Sequence, residues 1–243
     1  MPEGPSVVIL KEKVQQFTGR RIVSVSGNSS IEQHRLLNTE VLAFRSWGKH
    51  FLICLNDFTV RIHFLMWGSY LVNEQKDRPV RLNITFDNGW INFYSCSVKI
   101  IEGDVDSVYD FTSDVMSDTW DPAQAENKLK ESSSRLVCDV LLDQDIFSGV
   151  GNIIKNEVLY RIKVHPESRT GMIPQRKIKE LIKEARIYSF EFYEWKKKYE
   201  LKKHWLAHTR KICHRCDLPI IRKQTGSGNR RSFFCINCQK LYV

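Results

Sequence analysis

Two Cys-x-x-Cys pairs stand near the end of the chain, Cys213/Cys216 and Cys235/Cys238, with 18 residues between them. Pairs at this distance fit four thiolates around one tetrahedral Zn2+. A segment of about 30 residues cannot build a sufficient apolar core, so the metal would supply its folding energy. Four thiolates leave no open coordination position, which makes the expected zinc structural; no organic cofactor is indicated. The alternative, a pair of disulfides, needs an oxidising compartment. Met1-Pro2-Glu3-Gly4-Pro5 lacks the basic stretch and apolar core of a secretory signal. Apolar runs fall well short of the roughly 20 residues that span a bilayer. An intracellular protein of the cytoplasm or nucleoid, not secreted and without a membrane partner, is therefore expected, with reduced thiols. Of the other cysteines, Cys54 and Cys138 read as buried packing residues, while Cys96 is open.

Positive charge is concentrated around the same motif. Residues 194–243 carry 13 Lys and Arg against 3 Asp and Glu, whereas the rest of the chain holds 24 against 25. A basic block of this kind suits a polyanion, nucleic acid first, although a solvated basic face gives the same count. Between the cysteine pairs, Arg222, Lys223, Arg230 and Arg231 flank Gly226-Ser227-Gly228. This reads as a hairpin whose tip carries cations to a phosphate backbone, or as a solvated loop.

The first part of the chain reads as strands. Val80, Leu82, Ile84 and Phe86 alternate with polar residues, Asp87-Asn88-Gly89 offers a tight turn, and Trp90 to Tyr94 returns. Phe51 to Leu55 and Phe58 to Phe64, joined by Asn56-Asp57, form a second hairpin pattern. Short strands at this spacing suggest a β-sandwich or barrel. Residues 7–17 have helical spacing, with Gly19 as a stop. Seven acidic residues and no Lys or Arg mark a boundary over 102–121. Asp121-Pro122 opens a helical region that runs to about 200. Ser148-Gly149-Val150-Gly151-Asn152 interrupts it ahead of an amphipathic stretch from Ile153 to Ile162. Residues 175–203 read as one charged helix or two.

Two short features carry chemical potential. Gly149-Val150-Gly151-Asn152 lets the backbone turn tightly and presents the N–H groups of a new helix to an anion. Asn152 is then either the helix cap or a phosphate contact. At the N-terminus, a small residue after Met1 favours removal of the methionine, which exposes the secondary amine of Pro2 beside the carboxyl of Glu3. A terminal amine with a pKa of about 7.7–8.0 is partly unprotonated near neutrality. It can attack an anomeric carbon while the carboxyl moves protons.

Pro2-Glu3-Gly4-Pro5, Gly48-Lys49, Gly149-Val150-Gly151-Asn152 and the four-cysteine finger occur here in the order found in the formamidopyrimidine-DNA glycosylase / endonuclease VIII family. The sequence resembles that family over essentially its whole length. The resemblance implies an α+β multidomain chain. Residues 1–115 would form a catalytic β-sandwich with a flanking helix. Residues 121–207 would form a helix–two-turn–helix DNA-binding domain, and residues 208–243 the zinc finger. DNA would lie in the cleft between lobes. Pro2 resembles the nucleophile that displaces the base and forms a Schiff base. Glu3 resembles the proton donor and acceptor, and Lys49 the lysine that binds phosphate near the lesion. Asn152 and Arg230 resemble the pair that grips the backbone around an everted nucleotide. His63 falls at a DNA contact, and Met66 at the residue that fills the void left by flipping; Met66 as plain core is the other reading.

Three departures are visible. Ser6 stands where most members have Glu. Ser95-Cys96-Ser97-Val98-Lys99-Ile100 replaces an Asp-Pro-Arg-Arg-Phe segment, so the arginine that reads the opposite base is absent. Residues 189–211 contain no glycine, hence no loop to cover an everted oxidised purine. The last two favour the endonuclease VIII-like branch, whose usual substrates are oxidised pyrimidines. The resemblance implies a monomeric base-excision-repair glycosylase and abasic-site lyase acting on damaged double-stranded DNA by β,δ-elimination. The alternatives are a non-catalytic lesion- or duplex-binding protein on the same fold, and a zinc-ribbon factor that would leave Pro2, Glu3 and Lys49 unexplained.

Overall fold

The computed structural model describes residues 2–243, which form two compact units, one ending at Tyr109 and one starting at Asp110. The first unit opens with helix α1 (Gly4–Lys13). Eight strands follow: β1 (Ser24–Ser26), β2 (Ala43–Trp47), β3 (His50–Cys54), β4 (Phe58–His63), β5 (Ser69–Val72), β6 (Leu82–Phe86), β7 (Gly89–Tyr94) and β8 (Ser97–Glu102). They make two antiparallel four-stranded sheets, ordered β1-β6-β7-β5 and β2-β3-β4-β8. Alternation along each strand sends one set of side chains inward. Ile84, Ile91 and Phe93 of the first sheet thus share a core with Phe44, Phe51, Ile53, Val60 and Ile62 of the second. The rings of Phe51 and Phe93 lie 6.0 Å apart in that core. This is the expected β-sandwich with its flanking helix.

The expected helix over 7–17 differs in both ends. It begins at Gly4, because Pro5 suits a first turn that needs no N–H from it. It ends at Lys13, where Val14 leaves helical geometry (φ −100°, ψ 1°), and a 3-10 turn, Gln15–Phe17, carries the chain on. Phe17 still reaches the core, stacking on Phe86 at 4.5 Å. Cys96 and Cys138 are buried, whereas Cys54, expected in the core, is only half-buried.

The second unit contains α2 (Pro122–Glu131), α3 (Val137–Val140), α4 (Asn152–Arg161), α5 (Gln175–Lys197) and a hairpin of β9 (Ile221–Thr225) and β10 (Arg230–Phe234). Asp121 caps α2, its carboxylate accepting the Ala123 and Gln124 N–H groups. The charged stretch 175–203 is one helix, α5, followed by a 3-10 turn at Leu201–His204. Helix α4 is not amphipathic as expected: every residue from Ile154 to Tyr160 is buried, Lys155, Asn156 and Glu157 among them. Its apolar side joins the helical core, and the finger covers its polar side. Tyr160 shares a small core with Ala207, Cys213, Ile220, Phe233 and Cys235. Among the described residues no helix is long and apolar enough to cross a membrane.

Candidate active site and nucleic-acid interface

In the first unit, Glu3 occupies the N-cap position of α1 and is only 1% exposed; its carbonyl accepts the Ser6 N–H at 2.8 Å. Pro2, immediately before it, is half-buried. Ser6 lies one helical turn on, and its buried hydroxyl has no hydrogen-bond partner among the described residues. Helix α1 packs on β2 and β3. Those two strands are joined by Gly48-Lys49, a two-residue turn in which Gly48 takes φ 52°. Glycine meets that left-handed requirement without strain. The turn lifts Lys49, half-buried, out of the sheet.

Lys49 and His63 belong to one cluster. Strand pairing sets His50 opposite His63, with ring centroids 5.2 Å apart. Trp47 stacks obliquely on Tyr109, whose hydroxyl lies 3.1 Å from His50 Nδ1. Burial drives the His50 pKa down to about 3, helped by its neighbours Arg61, His63 and Lys49, which disfavour a second positive charge there. Burial also lowers His63, again with Lys49 and Arg61 adding to it. Both imidazoles are therefore neutral at physiological pH, suited to hydrogen bonding, while Lys49 and Arg61 hold the fixed charge.

Met66 is not core. It is 49% exposed between Leu65 and Trp67, and Trp67 is 80% exposed. Leu65 adopts φ 51° and Gly68 donates its N–H to Phe64 O at 2.7 Å, closing the turn. A Cβ on Gly68 would lie 2.2 Å from that carbonyl oxygen. The tight turn drives three successive apolar side chains outward. Sequence reasoning singles out Met66 and not Trp67, the more exposed of the two, although an apolar triplet stands directly before a glycine.

In the second unit, Gly151 rather than Asn152 is the N-cap of α4, with extended backbone and no side-chain cap. Asn152 is the first helical residue, so the capping role is excluded. Its Oδ1 is buried without a hydrogen-bond partner among the described residues. Arg230 is exposed at the start of β10, paired with Thr225 across a turn in which Gly226 has φ 72°. Asp139 braces that turn by accepting the Ser227 N–H at 2.9 Å. Arg222 and Arg231 are exposed. Lys223, expected among the free cations of the hairpin, is instead paired with Glu167 at 2.8 Å.

The four cysteine sulfurs of the finger all lie within 4.8 Å of one another. Cys213 and Cys238 are 3.9 Å apart, Cys216 and Cys235 3.5 Å. A Zn–S bond of about 2.3 Å in a tetrahedron places sulfurs about 3.8 Å apart. The donor set and spacing thus fit a structural zinc.

The family model for the formamidopyrimidine-DNA glycosylase N-terminal domain matches residues 1–96, and the model for the H2TH domain of the same glycosylase matches residues 111–187. The chain belongs to the formamidopyrimidine-DNA glycosylase / endonuclease VIII family. Endonuclease 8-like 3 of Xenopus laevis is 30% identical over 232 residues, 90% of this chain and 38% of that protein. The Bos taurus counterpart is 33% identical over 225 residues, 88% of this chain and 37% of its own length. The chain therefore spans less than two fifths of these curated relatives. In fold it is similar to Lactococcus lactis formamidopyrimidine-DNA glycosylase, a structure described as non-covalently bound to DNA containing an AP site. The TM-score is 0.85 at 19% identity, covering 98% of this chain and 99% of that one. Strands β7 and β8 are separated only by Ser95, at φ 49°, and Cys96.

Proposed function

We propose that this chain is a bifunctional DNA glycosylase and abasic-site lyase of base excision repair. In this reading it acts as an intracellular monomer on damaged double-stranded DNA, removing oxidised bases and preferring pyrimidines. The observation that carries the reading is the burial of Glu3 at the N-cap of α1, next to Pro2, on a helix packed against the strands that flank Lys49. A carboxyl withdrawn from water beside an amine is the arrangement that general acid–base work on a sugar requires.

After Met1 is removed, the Pro2 nitrogen attacks C1′ of the everted nucleotide, and the base leaves with the glycosidic electron pair. Glu3 supplies and then removes the protons needed to open the sugar and form the iminium. Loss of a C2′ proton expels the 3′ phosphate, and a second elimination expels the 5′ phosphate. Lys49, with His63 beside it, holds phosphate near the lesion. Asn152 and Arg230 grip the backbone around the everted nucleotide, and the Leu65–Trp67 turn offers Met66 as an apolar wedge for the emptied stack. Cys213, Cys216, Cys235 and Cys238 would hold one zinc that stiffens the hairpin bearing Arg230; it takes no part in the chemistry, and no organic cofactor is needed. Three modules, residues 1–115, 121–207 and 208–243, divide this work. The pyrimidine preference rests on the absence of arginine from Ser95-Cys96-Ser97-Val98-Lys99-Ile100 and on the absence of glycine over 189–211.

The test is base release from a duplex holding one oxidised pyrimidine. Glu3→Gln should slow release at least about 100-fold while leaving the affinity for a tetrahydrofuran abasic analogue unchanged. Full activity in that variant would contradict the assignment. A second reading, a non-catalytic binder, is favoured by Ser6, which stands where most family members carry Glu and whose buried hydroxyl has no hydrogen-bond partner among the described residues. The mass of the purified protein separates the two, because a retained Met1 blocks the amine.

A further inference from the structure

Lys155 is fully buried, 0% exposed, in the first turn of α4. Lysine is rarely buried outright, because its amine must then find acceptors inside the protein. Here Nζ donates to Ser232 Oγ at 2.9 Å and to the Arg231 carbonyl at 3.2 Å. Both acceptors lie on β10, the strand that begins with Arg230. Ser232 Oγ in turn meets Thr225 Oγ1 at 2.6 Å, tying β10 to β9. The next residue of the helix adds to the seam, since Asn156 Oδ1 accepts the Phe233 N–H at 3.2 Å.

The placement has a geometric consequence. Lys155 stands three residues after Asn152, so the two are neighbours on one face of the helix, about 5–6 Å apart at Cβ. Ser232 stands two residues after Arg230, so these two share one face of the strand. Lys155 therefore bridges the helical turn that starts with Asn152 and the strand that starts with Arg230.

We infer that Lys155 is a positioning residue which sets the spacing between Asn152 and Arg230, so that the two can engage phosphates of one strand together. The inference rests on the reading of those two residues as phosphate contacts. Lys155 itself, being buried, touches no DNA. Its loss acts through Arg230 and not through a charge taken from the interface.

The test is a double-mutant cycle in the zinc-loaded full chain, read as the dissociation constant for a duplex with a tetrahydrofuran abasic analogue. Amide hydrogen exchange of β10 in the free protein is measured in parallel. Lys155→Met should speed exchange at residues 230–232 and weaken binding about tenfold. Combined with Arg230→Ala it should add nothing beyond Arg230→Ala alone, because the contact it positions is already gone. Lys155→Arg should restore both exchange protection and affinity. A fully additive loss, or unchanged exchange in β10, would overturn the inference. If Arg230→Ala proved neutral, the phosphate reading would fail by itself, and exchange in β10 would still decide whether Lys155 holds the strand.

Discussion

The buried carboxylate of Glu157 accepts the backbone N–H of His208 at 2.7 Å. It also accepts those of Leu206 and Ala207, at 2.8 and 2.9 Å, so one side chain of α4 ties down the chain segment entering the finger. Removing it strands three donors with little access to water. Glu157→Ala should cost about 3 kcal/mol of unfolding free energy, read from urea denaturation; an unchanged midpoint would contradict this account. Burial raises the pKa of this carboxyl, although the three N–H donors oppose the shift. Its contribution to stability is therefore fullest below the ordinary glutamate pKa and declines as pH rises through the raised value. The variant should lack that part of the pH profile.

Zinc is the second point of leverage. The purified chain should carry one zinc by atomic absorption, and Cys213→Ser should lose most of it. Because β10 runs from Arg230 directly into Cys235, metal loss should lower affinity for abasic-site DNA at least about tenfold, as apo metal modules lose their fold. A zinc-free wild type, or full affinity in the variant, would be inconsistent with a structural metal.

The histidine pair gives a pH prediction of opposite sense to Glu157. With His50 held at about 3, mainly by burial and then by Arg61, His63 and Lys49, the unfolded chain takes up a proton near pH 6.5 that the folded chain refuses. Stability is thus present above about 6.5 and is lost as pH falls towards 3. Tyr109 also lies against His50 and stays protonated throughout, burial raising its pKa. His50 resonances should not titrate between pH 5 and 8 in NMR. A midpoint near 6.5 would show that the cluster is open to solvent.

The exposed turn separates binding from folding. Trp67→Ala should leave the unfolding midpoint unchanged, since the ring is 80% exposed. It should weaken binding to an abasic-site duplex by about 1–3 kcal/mol if the indole stacks on a base. Wild-type tryptophan fluorescence should be quenched on the same titration. Equal affinity of the two proteins would remove Trp67 from the interface.

Much of this molecule is legible in its residues. The hairpins at Asn56-Asp57 and Asp87-Asn88, the Asp121 cap and the finger were readable because each rests on local turn, cap or ligand chemistry. The helix at Gly4 differs from the sequence expectation at both ends, because apolar spacing marks the buried face and not the point where backbone geometry changes at Val14. Helix α4 looked amphipathic because Lys155, Asn156 and Glu157 are polar. Their burial depends on the finger folding back over them, a contact from residues about 50 to 77 positions away that no local pattern encodes. The exposure of Trp67 is hidden for the reverse reason: an apolar residue reads as core until the turn geometry sets it outside.

The central claim is the covalent role of Pro2. The Met1-processed protein should be incubated with an abasic-site duplex and borohydride, and the cross-linked peptide mapped by mass spectrometry. The account predicts a reduced adduct on the Pro2 nitrogen. With Met1 shown to be absent and DNA binding intact, no adduct, or an adduct on a lysine, would contradict it.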